Sequence, residues 1–133
     1  MSREIEDIIR EAIDCGFRIH RAVGPGLFES VYETLLADCL ERRGLTARRQ
    51  VGVPFEFEGR TFPEAFRADL LVEHRLLIEV KSVERQVPVH AKQLLTYLRV
   101  ARFPLGLLMN FGLPTFKEGV QRIANNYQEL KCD

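Results

Sequence analysis

Cysteine, net charge and long apolar runs are all scarce in this chain, and each scarcity removes a class of protein. Its 133 residues hold three cysteines, Cys15, Cys39 and Cys132, an odd set with no C-x-x-C pair. That spacing supports neither a disulfide framework nor a zinc knuckle, and the thiols are expected to be reduced, as in a cytoplasmic protein. Lys plus Arg and Asp plus Glu both number 19. The chain as a whole therefore exerts no long-range pull on nucleic acid or on an anionic membrane, and any polyanion contact must come from a local patch. No uninterrupted apolar stretch approaches the roughly 20 residues of a membrane helix. The start of the chain, with Glu4, Glu6 and Asp7, also lacks the basic-then-apolar order of an export signal. No membrane partner is expected. Repeats, linkers and low-complexity segments are missing too, so residues 1–133 read as a single domain, long enough for one compact core.

What is present is a clear change of hydrophobic period along the chain. Ile5, Ile8, Ile9, Ala12, Ile13, Ile19 and Val23 recur at helical spacing, which predicts an amphipathic helix over about residues 1–22 with Ser2 as N-cap. Gly24-Pro25-Gly26 ends it, and Phe28, Val31, Tyr32, Leu35, Leu36, Cys39 and Leu40 predict a second helix that stops at Gly44. Val51, Val53, Phe55 and Phe57 then alternate, with Glu58-Gly59-Arg60 as a hairpin turn. Residues 66–72 and 76–83 read as further strands. Pro88 opens a helix to about Arg102, residues 105–111 form a buried strand, and residues 116–130 are predicted to be a closing helix. The order α-α-β-β-β-α-β-α describes an α/β (α+β) layer sandwich, with helices over a mostly antiparallel sheet.

The charged residues that interrupt this pattern suggest chemistry. Two residues apart on a strand, Glu79 and Lys81 share a face, opposite Ile78 and Val80. A short hairpin through Glu73-His74-Arg75 would bring Asp69 opposite Glu79. Two carboxylates suit Mg²⁺, with Mn²⁺ as a substitute, provided main-chain carbonyls, water and substrate phosphate complete the ion's coordination. Lysine beside them could orient a metal-activated water or stabilise charge on phosphate oxygens. A D…E-x-K pattern also arises by chance on solvated sheet faces. Glu29 lies at the inward edge of its helix stripe, though an acid in a first helical turn also complements the macrodipole. Glu33 is expected to be solvated. Gln93 and Tyr97, four apart on the later helix, could reach substrate or support the site from behind, or simply border the apolar stripe. His20 is expected to be structural at a helix C-terminus and His74 solvated, while His90 follows Lys81 closely enough in sequence to lie near the site. Arg42, Arg43, Arg48 and Arg49 read as a solvated basic helix end.

Gly26-x-x-Glu29-x-x-Tyr32, with its lead-in from Ile19 to Pro25, resembles the signature of the GxxExxY protein family, which belongs to the PD-(D/E)XK nuclease superfamily. The resemblance runs from about His20 to Asn125. It implies a restriction-endonuclease-like α-β-β-β-α-β core with an extra N-terminal helix. It also implies that Asp69 is the first-strand aspartate, that Glu79-Val80-Lys81 is the E-x-K element and that Glu29 is the helix-borne acid. Asp69, Glu79, the Val80 carbonyl and Glu29 would then hold metal, with Glu29, Asp69, Glu79 and Lys81 catalytic. Gln93 and Tyr97 resemble the Q-x-x-x-Y element of RecB-like members, and Tyr32, Gln93 and Tyr97 would contact substrate or support the site. One departure is that Ala68, not proline, precedes Asp69.

The expected activity is Mg²⁺-dependent hydrolysis of phosphodiester bonds in nucleic acid, DNA or RNA. A second reading keeps the fold as a catalytically silent binding or assembly module with a protein partner or as a homo-oligomer, which the balanced charge and small size favour. A third is a metal-dependent hydrolase of a small phosphorylated molecule, which would need a closed pocket rather than a groove.

Overall fold

The computed structural model describes residues 4–125. Helix α1 runs Ile5–Val23 and α2 Glu29–Arg42; strands β1 (Ala47–Phe57), β2 (Arg60–Val72) and β3 (Leu76–Lys81) follow, then α3 (Pro88–Ala101), β4 (Leu105–Asn110), the short α4 (Phe116–Gly119) and β5 (Val120–Ala124). The five strands form one mixed sheet in chain order, β1-β2-β3-β4-β5. Only β3 and β4 are parallel, because α3 carries the chain back across the sheet between them. This is the expected α+β architecture with the extra N-terminal helix. Ser2, expected as a cap, lies outside the described residues, and Glu4 occupies the N-cap position of α1.

Each face of the sheet has its own core. Ile8, Ile9 and Ala12 of α1 and Tyr32, Leu36 and Leu40 of α2 pack on Leu70, Val72, Ile78 and Val80. On the other face Leu94 and Leu98 of α3 pack with Ala68, Leu77 and Leu108. β3 and β4 are therefore buried on both sides, as a continuous apolar run implies. The β1–β2 hairpin turns through Glu58 (φ 48°) and Gly59 (φ 83°), the left-handed pair of a two-residue turn whose twist matches the strands.

The predicted closing helix is the main correction. A single turn, capped by Thr115 Oγ1 accepting from the Glu118 N–H, gives way to β5, which pairs antiparallel with β4. The remainder, residues 126–130, lies outside the described residues. Val120 joins the core under α1 and α2, and Ile123 joins the cluster under α3. A spacing of three fits one face of a helix, and it equally serves opposite faces of a strand buried on both sides. The open edge of β4 decides between them, since its main-chain groups need a partner.

Tyr32 explains part of the Gly26-to-Tyr32 signature. Its ring stacks on Phe111 with centroids 4.5 Å apart, and its hydroxyl donates to the Gly24 carbonyl at 2.6 Å while accepting from the Leu27 N–H at 3.1 Å. One buried side chain thus fixes the turn between α1 and α2, where Gly24 (φ 75°) and Gly26 (φ 108°) take left-handed conformations costly for other residues. Tyr32→Phe is expected to cost about 1–2 kcal/mol, because two main-chain groups lose their partner. Urea unfolding checks this, together with faster amide exchange at Leu27; an unchanged exchange rate would show that the hydroxyl does not hold the turn.

Candidate active site

β2 and β3 pair in register through Val72↔Leu76, Leu71↔Leu77 and Leu70↔Ile78. Beyond Leu70 and Ile78, side chains take over. The Asp69 N–H donates to Glu79 Oε2 at 2.9 Å, and the Val80 N–H donates to Asp69 Oδ2 at 2.8 Å. The two carboxylates are thus interlocked across the point where the strands part, opposite each other as the hairpin register predicts. Glu79 lies on the α3 side of β3 and is only 5% exposed, so the solvated-face reading of Glu79 does not hold.

On the β1 side the backbone departs from regular strand. Gln50, opposite Asp69, has φ 52°, a left-handed conformation that a side chain other than glycine adopts at a cost of about 1 kcal/mol or more. Its effect is visible in the contacts. Arg49 and Gln50 are adjacent and would normally point to opposite faces, yet Arg49 Nε donates to Glu33 Oε2 at 3.0 Å and Gln50 Nε2 to Glu33 Oε1 at 2.7 Å. Gln50 Nε2 also reaches Asp69 Oδ1 at 3.4 Å. The alternation of β2 reverses at the same level: Leu70 and Val72 face α1 and α2, whereas Ala68 and Phe66 face α3. Asp69 sits at this crossover, between the acid on α2 and the residues on α3.

Electrostatics follow from this burial. Loss of hydration raises the Asp69 carboxyl above the ordinary range, opposed by the Val80 N–H and reinforced by the Glu33 charge. For Glu79, burial first and the Asp69 charge second push the carboxyl up to about 8. Lys81, half-buried, lowers both but does not outweigh burial. Tyr97 stacks on Phe66 at 3.9 Å, and its phenol is raised by burial and then by Glu79 and Asp69, which places it beside the acids. Gln93 is exposed on the same helix. Among the described residues, the buried His90 Nδ1 has no hydrogen-bond partner. Burial and then Lys81 lower its pKa, and Glu29 opposes them.

The helix acids need redistribution. Glu33, expected to be solvated, is buried and bears on both Asp69 and Glu79. Glu29, one turn earlier, is exposed and lines a cavity between the α1–α2 turn and the segment after β3. Arg49 also leaves the solvated helix end for the Glu33 ion pair, and Arg43 bridges α2 to Glu11 and Asp14 of α1. His20 is structural as expected, its Nε2 2.8 Å from the Leu113 carbonyl. Glu33 was detectable as the same-face neighbour of Glu29. Gln50 carried no signal, because its role arises from a backbone conformation that its residue type does not announce.

Among the described residues no group of three or more His, Cys, Asp or Glu side chains is arranged to hold a metal ion. The Asp69 and Glu79 pair nevertheless has the right donor chemistry: two hard oxygen donors whose charged forms burial first, and neighbouring acid charge after it, disfavour. A divalent cation would offset the same burial cost and repulsion that protonation offsets.

The family model of the PD-(D/E)XK nuclease superfamily matches residues 6–123, and the chain belongs to that superfamily. Among solved structures, the crystal structure of SSO0001 is similar at 19% identity with a TM-score of 0.55, over 73% of this chain and 50% of that one. This chain thus spans about half the length of that structure, and the likeness is one of fold. No curated protein matches.

Glu79 keeps its proton in the folded chain up to about pH 8 and gives it up near the ordinary carboxylate value of roughly 4.3 when unfolded. The folded state therefore binds more protons across that window, and stability falls as pH rises through it. In EDTA, urea unfolding is expected to lose on the order of 3 kcal/mol between about pH 5 and 8. Glu79→Gln should flatten the profile and exceed wild type in stability at the upper end. A wild-type profile that rises with pH would contradict the assignment.

Proposed function

We propose that this chain is a divalent-metal-dependent nuclease of the GxxExxY group that hydrolyses phosphodiester bonds in nucleic acid with Mg²⁺, or Mn²⁺ in its place. The observation that carries the reading is the interlocked Asp69 and Glu79 pair at the parting of β2 and β3, with Lys81 two residues on along the strand face that bears Glu79. Membership of a superfamily of nucleases supports it.

Asp69, Glu79 and the Val80 carbonyl would hold the ion. When bound, the ion would polarise the phosphodiester and lower the pKa of a coordinated water. Glu33 adds negative charge from the α2 side, held in place by Arg49 and Gln50. Glu29, further out on the same helix face, would act through water or on the substrate rather than inside the carboxylate pair. Lys81, whose charge reaches both carboxylates, orients the attacking water or stabilises charge on the phosphate oxygens. Tyr97 sits on the α3 wall, where its hydroxyl can fix substrate or the acids, and exposed Gln93 lies one turn earlier, where it can meet the strand.

Cleavage of a panel of single- and double-stranded DNA and RNA in Mg²⁺ or Mn²⁺ tests the reading. Lys81→Ala is expected to lower the rate at least about 100-fold, the scale of removing one transition-state donor. Independently of activity, Mg²⁺ should raise the melting temperature of wild type near pH 8 but not that of Asp69→Asn, since an ion bound only by the folded chain stabilises it. Equal cleavage by wild type and Lys81→Ala would assign the activity elsewhere. A melting temperature indifferent to Mg²⁺, with no cleavage, would favour a catalytically silent module.

A further inference from the structure

Beside the carboxylate site lies a cavity of about 820 Å³, walled by the α1–α2 turn on one side and by Ser82, Val83 and Glu84 on the other. It falls within the roughly 300–1,000 Å³ range of small-molecule sites. Its walls are fixed: Ser82 Oγ donates to the Leu27 carbonyl at 2.7 Å, and Gly112 backs it so closely that a Cβ there would meet the Val83 carbonyl oxygen at 2.3 Å. Ser82 follows Lys81 directly in the chain, so one wall of the cavity continues the strand that bears the proposed phosphate-site lysine.

The chemistry of the lining is selective. Among the described residues that line it, no side chain is cationic, and two, Glu29 and Glu84, are acids. A phosphate placed here would meet like charge. A flat, neutral ligand with N–H or O–H donors would instead find carboxylate acceptors beside an apolar surface. That surface is mainly Phe28, a residue 82% exposed. Phe28 also occupies the N-cap position of α2 and provides no capping bond, where Ser, Thr, Asp or Asn would stabilise the helix by about 1 kcal/mol. The chain forgoes a cap and a buried aromatic at the same position. Leu27, 41% exposed, extends the apolar rim.

We infer that this cavity seats an unpaired nucleobase next to the scissile phosphate, with Phe28 as the stacking platform and Glu29 and Glu84 accepting from base or sugar donors. The inference rests on the nuclease reading and narrows it, because a base held in a duplex is stacked on both sides and cannot enter. The substrate class is therefore single-stranded nucleic acid, or an unpaired end or loop.

The test is fluorescence anisotropy in EDTA with labelled oligonucleotides of about 12 nucleotides, within the site sizes of single-strand binders. Single-stranded DNA, single-stranded RNA and a blunt duplex are compared for wild type, Phe28→Ala and Phe28→Trp. Phe28→Ala is expected to weaken single-strand binding about tenfold, the order of one stacked base, with less effect on the duplex. Phe28→Trp should restore it, and the DNA and RNA arms identify the preferred strand. Melting temperatures near wild type check that the exposed position leaves the fold intact. Single-strand binding unaffected by Phe28→Ala, an equal loss on duplex, or no binding by wild type would overturn the inference. The two readings separate cleanly: Lys81-dependent cleavage with Phe28-independent binding removes only the base seat, whereas Phe28-dependent binding with Lys81-independent cleavage removes only the catalytic assignment.

Discussion

Past the Leu70↔Ile78 pair, β2 and β3 no longer hold each other by regular strand pairing, and the carboxylates of Asp69 and Glu79 bind main-chain N–H groups across the gap. A main-chain hydrogen bond to a carboxylate is stronger than one to a carbonyl, but it leaves negative charge behind in a half-dry space. Neither acid has a cation in ion-pair contact among the described residues, and both have raised proton affinity. The junction is therefore a pair of acids that folding buries at a cost, which protonation or a bound cation would reduce. Much of the surrounding structure can be understood as accommodating that cost.

Gln50 is one such accommodation. A neutral amide can donate to two carboxylates at once without adding charge, and its left-handed backbone lets both it and Arg49 face α2. The parallel passage from β3 through α3 to β4 is another. It lays Tyr97 and Leu94 over the face that bears Glu79 and excludes water there, while Asn110 gathers the segment after β3 by accepting from the Val83 and Gly112 N–H groups. Low dielectric strengthens each remaining electrostatic interaction, including that of Lys81.

The elements with one strong period were legible in the sequence: α1, α2 and α3, the β1–β2 hairpin and the register that sets Asp69 opposite Glu79. What was not legible had two physical causes. The helix expected over residues 116–130 gives way to β5 because the edge of β4, a non-local fact, selects a strand, although Phe116, Val120 and Ile123 have helical spacing. Glu33, expected to be solvated, is buried. Its burial depends on Arg49 and Gln50 arriving from a strand whose alternation fails at Gln50. The E-x-K element and the Gly26-to-Tyr32 signature single out the candidate site, while the network around it depends on a backbone conformation that residue type does not announce.

The two acids of α2 divide their work by depth. Glu33 is committed, since Arg49 and Gln50 occupy both of its oxygens, and moving it toward an ion would break the Arg49 ion pair and the Gln50 hydrogen bond that hold it. Its contribution is a fixed field that reaches both carboxylates of the junction. Glu29 has no such tie and stands one turn outward, facing a cavity whose other acid is Glu84. An acid so placed can follow a substrate as it enters, which a buried and doubly bonded one cannot. On that division, Tyr32 earns its place in the signature by fixing the turn that sets where Glu29 and Phe28 begin the helix, so the Gly26-to-Tyr32 motif is the frame of the cavity rather than part of the carboxylate pair.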